Sequence, residues 1–281
     1  MKYSRSLCAA LLLVFLSPAI ADDWPMWRHD AGRSGATTHA LPAEMSLQWT
    51  WKLGATTPAW PASQTKLQFD ASYEPVCSNG RLVVGSPVDG RVIAIDVATG
   101  NLAWTYFTEG PVRFAPTISN GRVYVGSDDG RLHCVSLEDG SQLWTVDGGP
   151  SRRKIIGNDR LVSMWSVRGG VVVQDGVAYF SAGIWPSMGV FIRAVDATSG
   201  EILWTNSTTG SRFITHPHGA DAFGSISPQG YLTISADTLL VPGGRTLPAG
   251  FDIHTGELRH FEFGGKGAGG FEVFANDQWY F

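Results

Sequence analysis

Residues 94–104 read AIDVATGNLAW, and the same phrase returns three more times. Aligned without gaps, Asp96, Gly100 and Trp104 recur as Ser136, Gly140 and Trp144, then as Asp196, Gly200 and Trp204, and finally as Asp252, Gly256 and His260. Each copy is a β-rich run, a glycine-marked turn and a second β-rich run entered near the tryptophan, the pattern of two strands joined tightly.

Working outward, each copy lies in a unit of four short strands. The first spans about 69–107, with Ala71 to Cys77, Arg81 to Ser86, Arg91 to Val97 and Leu102 to Phe107 as strands around Asn79-Gly80 and Thr99-Gly100. The second spans about 114–146, with turns at Asn120-Gly121, Asp129-Gly130 and Asp139-Gly140. Four strands in roughly 40 to 45 residues is the period of propeller blades, and nothing here has helical periodicity. Trp104 and Trp144 are 40 residues apart, Trp144 and Trp204 60, and Trp204 and His260 56. Insertions are therefore expected in connectors at Ser151 to Val167, Ile184 to Pro186 and Ser211 to Ser227. Leu47 to Thr50 matches the outer-strand motif and is expected to be a lone outer strand.

At the start, Lys2 and Arg5 precede the apolar run Leu7 to Leu16 and the small residues around Ala19 to Ala21, the pattern of a cleaved export leader over 1–21. The run is shorter than the roughly 20 residues that span a bilayer, and no other segment could span one. The expectation is a periplasmic or secreted protein with an extended arm over 22–46 and a repeat domain over 47–281. Without the leader the chain has 19 basic and 25 acidic residues, a net of −6 with no basic cluster, which argues against nucleic acid as partner. Cys77 and Cys134 do not make a disulfide scaffold and read as thiols on strands. Residues 275–281 match 174–180, the turn and second strand of a unit, so the sequence reads as part of a longer protein.

The AxDxxTGxxxW phrase resembles the tryptophan-docking repeat of the pyrroloquinoline quinone (PQQ) dehydrogenase-like propellers, with Ser199 in place of Thr in the third copy and only Gly140 and Trp144 kept in the second. Asp23-Trp24-Pro25-Met26-Trp27-Arg28, Trp165 to Gly170, Ala182 to Met188, Pro228 to Tyr231 and Val241 to Arg245 resemble exported bacterial PQQ-like repeat proteins. The resemblance implies an all-β propeller of four-stranded blades, eight when complete, of which four and parts of two more are visible. It also implies structural roles for Asp96, Gly100, Trp104, Gly140, Trp144, Asp196, Gly200 and Trp204.

The fold hosts both oxidoreductases and scaffolds. A quinone enzyme needs a general base, Ca²⁺ on hard oxygen ligands and flat groups around the ring. Many alcohol-oxidising relatives stack the quinone on a Cys-Cys pair, which this chain lacks, and it has no CxxCH haem site. The leading reading is a non-catalytic binding or scaffold propeller; PQQ and calcium enter only under the alternative of a PQQ-dependent oxidoreductase. His216-Pro217-His218 with Asp221 contains metal-ligand residue types, but no third His lies nearby and no metal site is assigned. In an up-and-down blade the turns after strands one and three share a face. All the long insertions fall on the other. Trp165, Arg168, Trp185, His216, His218, Gln229 and Arg245 are thus expected around one mouth of the central channel, where a partner protein or a small anionic ligand would bind.

Overall fold

The computed structural model describes residues 23–157, 159–216, 218–244, 246–263 and 269–281. The leader at 1–21 and Arg245 lie outside the described residues.

The described chain forms four antiparallel four-stranded sheets, each in simple up-and-down order. Blade one holds β1 (Val76–Ser78), β2 (Arg81–Gly85), β3 (Arg91–Asp96) and β4 (Leu102–Phe107). Blade two holds β5 (Thr117–Ser119), β6 (Arg122–Gly126), β7 (Arg131–Ser136) and β8 (Gln142–Asp147). A hairpin of β9 (Lys154–Gly157) and β10 (Arg160–Ser163) and the short β11 (Gly169–Gly170) follow. Blade three is β12 (Val172–Gln174), β13 (Val177–Ala182), β14 (Phe191–Asp196) and β15 (Ile202–Asn206). A second hairpin, β16 (Arg212–Thr215) and β17 (Asp221–Gly224), and β18 (Gly230–Tyr231) precede blade four: β19 (Thr233–Ser235), β20 (Thr238–Val241), β21 (Ala249–Asp252) and β22 (Leu258–His260). Among the described residues no helix is long and apolar enough to cross a membrane.

The repeated phrase makes the same turn four times. Asp96 Oδ1 accepts from the Thr99 amide and hydroxyl, Asp196 Oδ1 from the Thr198 and Ser199 amides, and Asp252 Oδ1 from those of His254 and Thr255. These bonds, Thr99 foremost at Asp96 and Ser199 at Asp196, hold both carboxyls below the usual range. The glycine amide then bonds back to the carbonyl four residues earlier, with φ of +70 to +76° at Gly100, Gly140, Gly200 and Gly256.

Those glycines have a second duty. A Cβ on Gly140 would lie 2.7 Å from the Trp104 ring, on Gly200 2.8 Å from Trp144, and on Gly256 2.4 Å from Trp204. Each indole also donates Nε1 to a carbonyl of the following blade: Trp104 to Leu137, Trp144 to Thr198, Trp204 to Ile253. Every tryptophan thus docks on the next blade's turn. Trp104 is buried, while Trp144 and Trp204 are half-buried. On β3, β7, β14 and β21 the ring position is faced by Ala94, Cys134, Ala194 or Gly250, with a bulge just beyond. His260 fills the ring position in blade four, its Nε2 3.0 Å from the Tyr280 hydroxyl.

One expectation fails in form and holds in contact. Residues 47–50 make no strand, yet Trp49 docks as its equivalents do, its ring against Gly100 and its Nε1 on the Val97 carbonyl. Without a neighbouring strand the backbone has no ladder to join, but the indole still finds its glycine. β1 is also shorter than read, starting after Pro75, which offers no N–H to a ladder. Cys77 is half-buried and Cys134 buried, both as free thiols.

The arm runs across the axis. Trp24 pairs through its backbone with Cys77 on β1, Pro25 accepts from Ile118 on β5, Ala31 from Ile234 on β19 and Gly32 from Ala275. Arg33 is fully buried, and its guanidinium donates to the carbonyls of Leu232, Val171 and Trp27 at 2.8–3.1 Å. Burial pushes its pKa down to about 9. Trp27 stacks on Tyr231 at 3.9 Å, Tyr231 meets Phe114 edge-on, and Phe114 stacks on Phe69. The axis is therefore filled by aromatic side chains and closed by the arm on the side of the turns after each first strand.

Candidate functional site

The opposite end of the axis carries the loops after each second strand and the links between blades. Its centre is a buried ion cluster. Asp128, in the β6–β7 loop, accepts from Arg113 Nε at 2.6 Å and from Arg168 Nε and Nη2 at 2.8 and 3.0 Å. Arg113, on the link into blade two, also donates Nη1 to Asp70 Oδ2 at 2.5 Å, and Asp70 Oδ2 accepts from the Ala59 amide. All four side chains are 4% exposed or less. Burial alone would raise Asp128, but Arg168 and Arg113 hold it below the usual carboxylate range. At Asp70 burial wins over Arg113 and raises the carboxyl, whose Oδ1 has no hydrogen-bond partner.

Two links then meet. β11 and β18 pair in parallel, Gly169 opposite Gly230, which places Arg168 beside Gln229. Gln229 Oε1 accepts from Trp60 Nε1 at 2.6 Å, and Trp60 lies edge-on to Trp185 with centroids 5.9 Å apart. The loop carrying Trp185 is tied back by the Ser227 hydroxyl, which donates to the Ile184 carbonyl. Arg168, Gln229 and Trp185 thus form one constellation with Trp60, Asp70, Arg113 and Asp128.

The other expected residues that are described, Trp165, His216 and His218, make other side-chain contacts. Trp165 is a core residue: its Nε1 bonds to the Met188 carbonyl, its edge meets Phe191, and a Cβ on Gly149 would strike its ring. His216 and His218 lie at the end of the β16–β17 hairpin, whose second strand runs against residues 186–188. Their rings stack 5.5 Å apart instead of converging, and Asp221 accepts from Thr215. Among the described residues no group of three or more His, Cys, Asp or Glu is placed to hold a metal.

The arrangement corrects one electrostatic expectation. Arg168 is not a cation presented to an anionic ligand, because two of its donors are taken by the buried Asp128. Trp60, Asp70, Arg113 and Asp128 escaped the sequence reading. Asp128-Asp129-Gly130 reads as a turn, and Arg113 lies in a link without periodicity, so only tertiary proximity marks them. The nearest signal was Asp128 itself, an extra acid beside the turn-forming Asp129.

A family model described as outer membrane protein assembly factor BamB matches residues 25–180, more than half of the chain. The chain belongs to this PQQ-like repeat family. Among relatives of this PQQ-like repeat protein, BamB of Yersinia pestis is 28% identical over 151 residues, covering 52% of this chain and 35% of its own length. The dehydrogenase subunit of alcohol dehydrogenase (quinone) of Gluconobacter oxydans is 31% identical over 143 residues, 46% of this chain and 17% of its own. The crystal structure of quinohemoprotein alcohol dehydrogenase from Comamonas testosteroni superposes with a TM-score of 0.56 at 19% identity, covering 85% of this chain and 40% of that one. That likeness shows the propeller fold. The PQQ-like repeat chain spans about a third or less of the length of these two sequence relatives.

Proposed function

We propose that this chain is a non-catalytic propeller of the cell envelope, exported by its leader, that serves as a scaffold for a protein partner on the long-loop face. The observation that carries the reading is the state of the charges at the mouth. Arg113, Arg168, Asp70 and Asp128 are two cations and two anions engaged with one another, and they tie residue 70, the blade one–two link, the β6–β7 loop and the blade two–three link together. Such a cluster braces a surface. The family description as an assembly factor and the Yersinia pestis relative favour protein partners, and the leader favours the periplasm.

The alternative, a PQQ-dependent oxidoreductase, is favoured by the quinone alcohol dehydrogenase relative. The described mouth residues do not fit PQQ with Ca²⁺. Calcium takes six to eight oxygen ligands, yet both oxygens of Asp128 face arginines and only Oδ1 of Asp70 is without a partner. Trp60 and Trp185 meet at 71°, an edge contact and not the parallel pair that would sandwich a flat ring.

The test is to dialyse the protein against PQQ and Ca²⁺ and assay alcohol-dependent dye reduction. The scaffold reading expects neither retained quinone absorbance nor dye reduction. Retained quinone together with dye reduction would overturn it.

A further inference from the structure

Both insertions in the blade links fold into hairpins that break the usual rule for a sheet face. A two-stranded sheet against a body buries apolar residues inward and shows polar ones to water. In β16–β17, Ile214 and Ala222 are half-buried and Gly224 is buried, but the opposite face shows Phe213 and Phe223, 63% and 65% exposed. These two stand directly across from each other, with centroids 5.3 Å apart. In β9–β10, Val162 is buried and Ile155 half-buried, while Ile156 and Leu161, again cross-strand partners, are 83% and 62% exposed. An outward apolar pair at each of two successive links is not the scatter of single apolar residues that any surface has.

The edges are open as well. The His216 amide bonds to the Ala220 carbonyl, which fixes the ladder phase: 214 with 222 and 212 with 224 exchange hydrogen bonds, and 213 with 223 and 215 with 221 do not. The N–H and C=O groups of Phe213 and Thr215 therefore point away from the hairpin, and no described backbone group bonds to them. In the first hairpin the Met164 amide bonds to the Arg153 carbonyl, so by the same count Lys154 and Ile156 point outward from β9. Its other edge is already taken, since the outward amide of Ser163 on β10 bonds to Asp128. β17 likewise lies against residues 186–188. In each hairpin the first strand keeps the free edge.

We infer that β16 and β9 are strand-addition platforms, each taking an extended segment of the partner protein as a third strand, with apolar side chains of that segment packing on Phe213 and Phe223 or on Ile156 and Leu161. A two-stranded sheet is marginal alone, and a third strand supplies both the missing ladder and the cover for its face. Charge defines the partner further. The free strands begin at Arg152, Arg153 and Lys154 and at Arg212, all exposed, and the pairs Arg152–Asp147 and Lys154–Glu109 are surface pairs that exchange readily. The added segment alternates apolar and acidic residues.

This rests on the scaffold reading, and its test is separate from the quinone assay. The probe is a phage-displayed library of random linear dodecapeptides panned on the purified protein. Enriched peptides are expected to alternate apolar and acidic residues. They should slow hydrogen exchange at the amides of Thr215 and Phe213, or of Ile156 and Lys154. For peptides of the β16 class, Phe223→Ser and Thr215→Pro should each weaken binding at least tenfold. Thr215→Pro removes the outward N–H together with the side-chain bond to Asp221, and Phe223→Ser leaves both the ladder and that bond intact, so one variant remains informative if the other disturbs the hairpin. Failure to enrich any peptide, or binding untouched by both substitutions with no exchange protection, overturns strand addition while leaving a dye-negative protein a scaffold. Flotation with phosphatidylglycerol vesicles that is lost in Phe223→Ser, without peptide protection, assigns the apolar pairs to a membrane and also overturns it. Dye reduction would defeat the scaffold reading whatever the peptides do.

Discussion

At one end of the propeller axis a single buried cation, Arg33, is held by backbone carbonyls of three segments; at the other, two buried arginines are held by two buried aspartates. The first end is a seal made by the arm, and its partners are peptide groups that any sequence supplies. The second depends on side chains from four places in the chain. The difference teaches where substitution is tolerated: carbonyls survive every mutation of the residues that carry them, whereas the ion cluster fails when one member goes. Outside that cluster, the loop end also carries the exposed apolar pairs, which the sealed end has no counterpart for in its Asn79-Gly80, Asn120-Gly121 and Asp175-Gly176 turns.

The hardest blow to this contrast is Asp128→Ala. It takes away the carboxylate that two buried guanidinium groups share, with Arg113 keeping Asp70, and should cost about 3–5 kcal/mol, as breaking a buried pair from one side does. A urea titration showing less than about 1 kcal/mol would mean that water replaces the carboxylate and that the cluster is no clasp. Trp104→Ala should cost a comparable ~3–5 kcal/mol, since it removes a large core ring from Gly140 and leaves the Leu137 carbonyl bare. The same change at the half-buried Trp144 should cost less.

At the sealed end, Arg33→Met keeps the volume but leaves the carbonyls of Leu232, Val171 and Trp27 without their donor. The expected loss is about 1–3 kcal/mol, smaller than for Asp128→Ala because no buried charge is orphaned. A larger loss than at Asp128 would reverse the comparison.

A pH series sharpens it further. Glu74 lies beside the arm near the Trp27 side chain and has a buried Oε2 with no partner. Burial pushes its pKa up to about 8, with Glu272 and Asp70 adding to the rise and Arg33 opposing it. The folded state thus favours the protonated acid. Its contribution is fully present below the unfolded value of 4.5 and is lost as pH climbs toward about 8. Thermal melts of Glu74→Gln should lack that part of the decline between those limits; an unchanged profile would place the titration elsewhere. The smallest effect belongs to Phe223→Ser, which should cost no more than about 1 kcal/mol because the ring is mostly exposed and loses its pairing with Phe213 across the hairpin.

Most of the blade plan was legible from residues 94–104. Period and turn placement are local properties repeated four times, and repetition averages out the ambiguity of any one copy; the structural role of each tryptophan came from the family resemblance. The hairpins were read only as insertions, although Ile155-Ile156 and Leu161-Val162 are short apolar runs. Two adjacent apolar residues cannot say which one faces inward, and the face was decided by the body underneath. Of the seven expected mouth residues, Arg168, Gln229 and Trp185 come together because β11 and β18 pair across 61 residues of sequence. Trp165 went to the core, and both histidines went to a hairpin end.

By itself the sequence determined what is periodic: the four-stranded units, the glycine-marked turns and the tryptophan four residues after the glycine. These follow from dihedral preference and spacing, which act over a few residues. Only the tertiary structure decided that the arm fills the axis, that Arg113 and Arg168 neutralise Asp128 instead of facing a ligand, and that Phe213 and Phe223 are left outside. Each of those depends on desolvation and on partners 15 to 199 residues away. Such partners have no period, and a buried charge and a solvated one are written with the same letter.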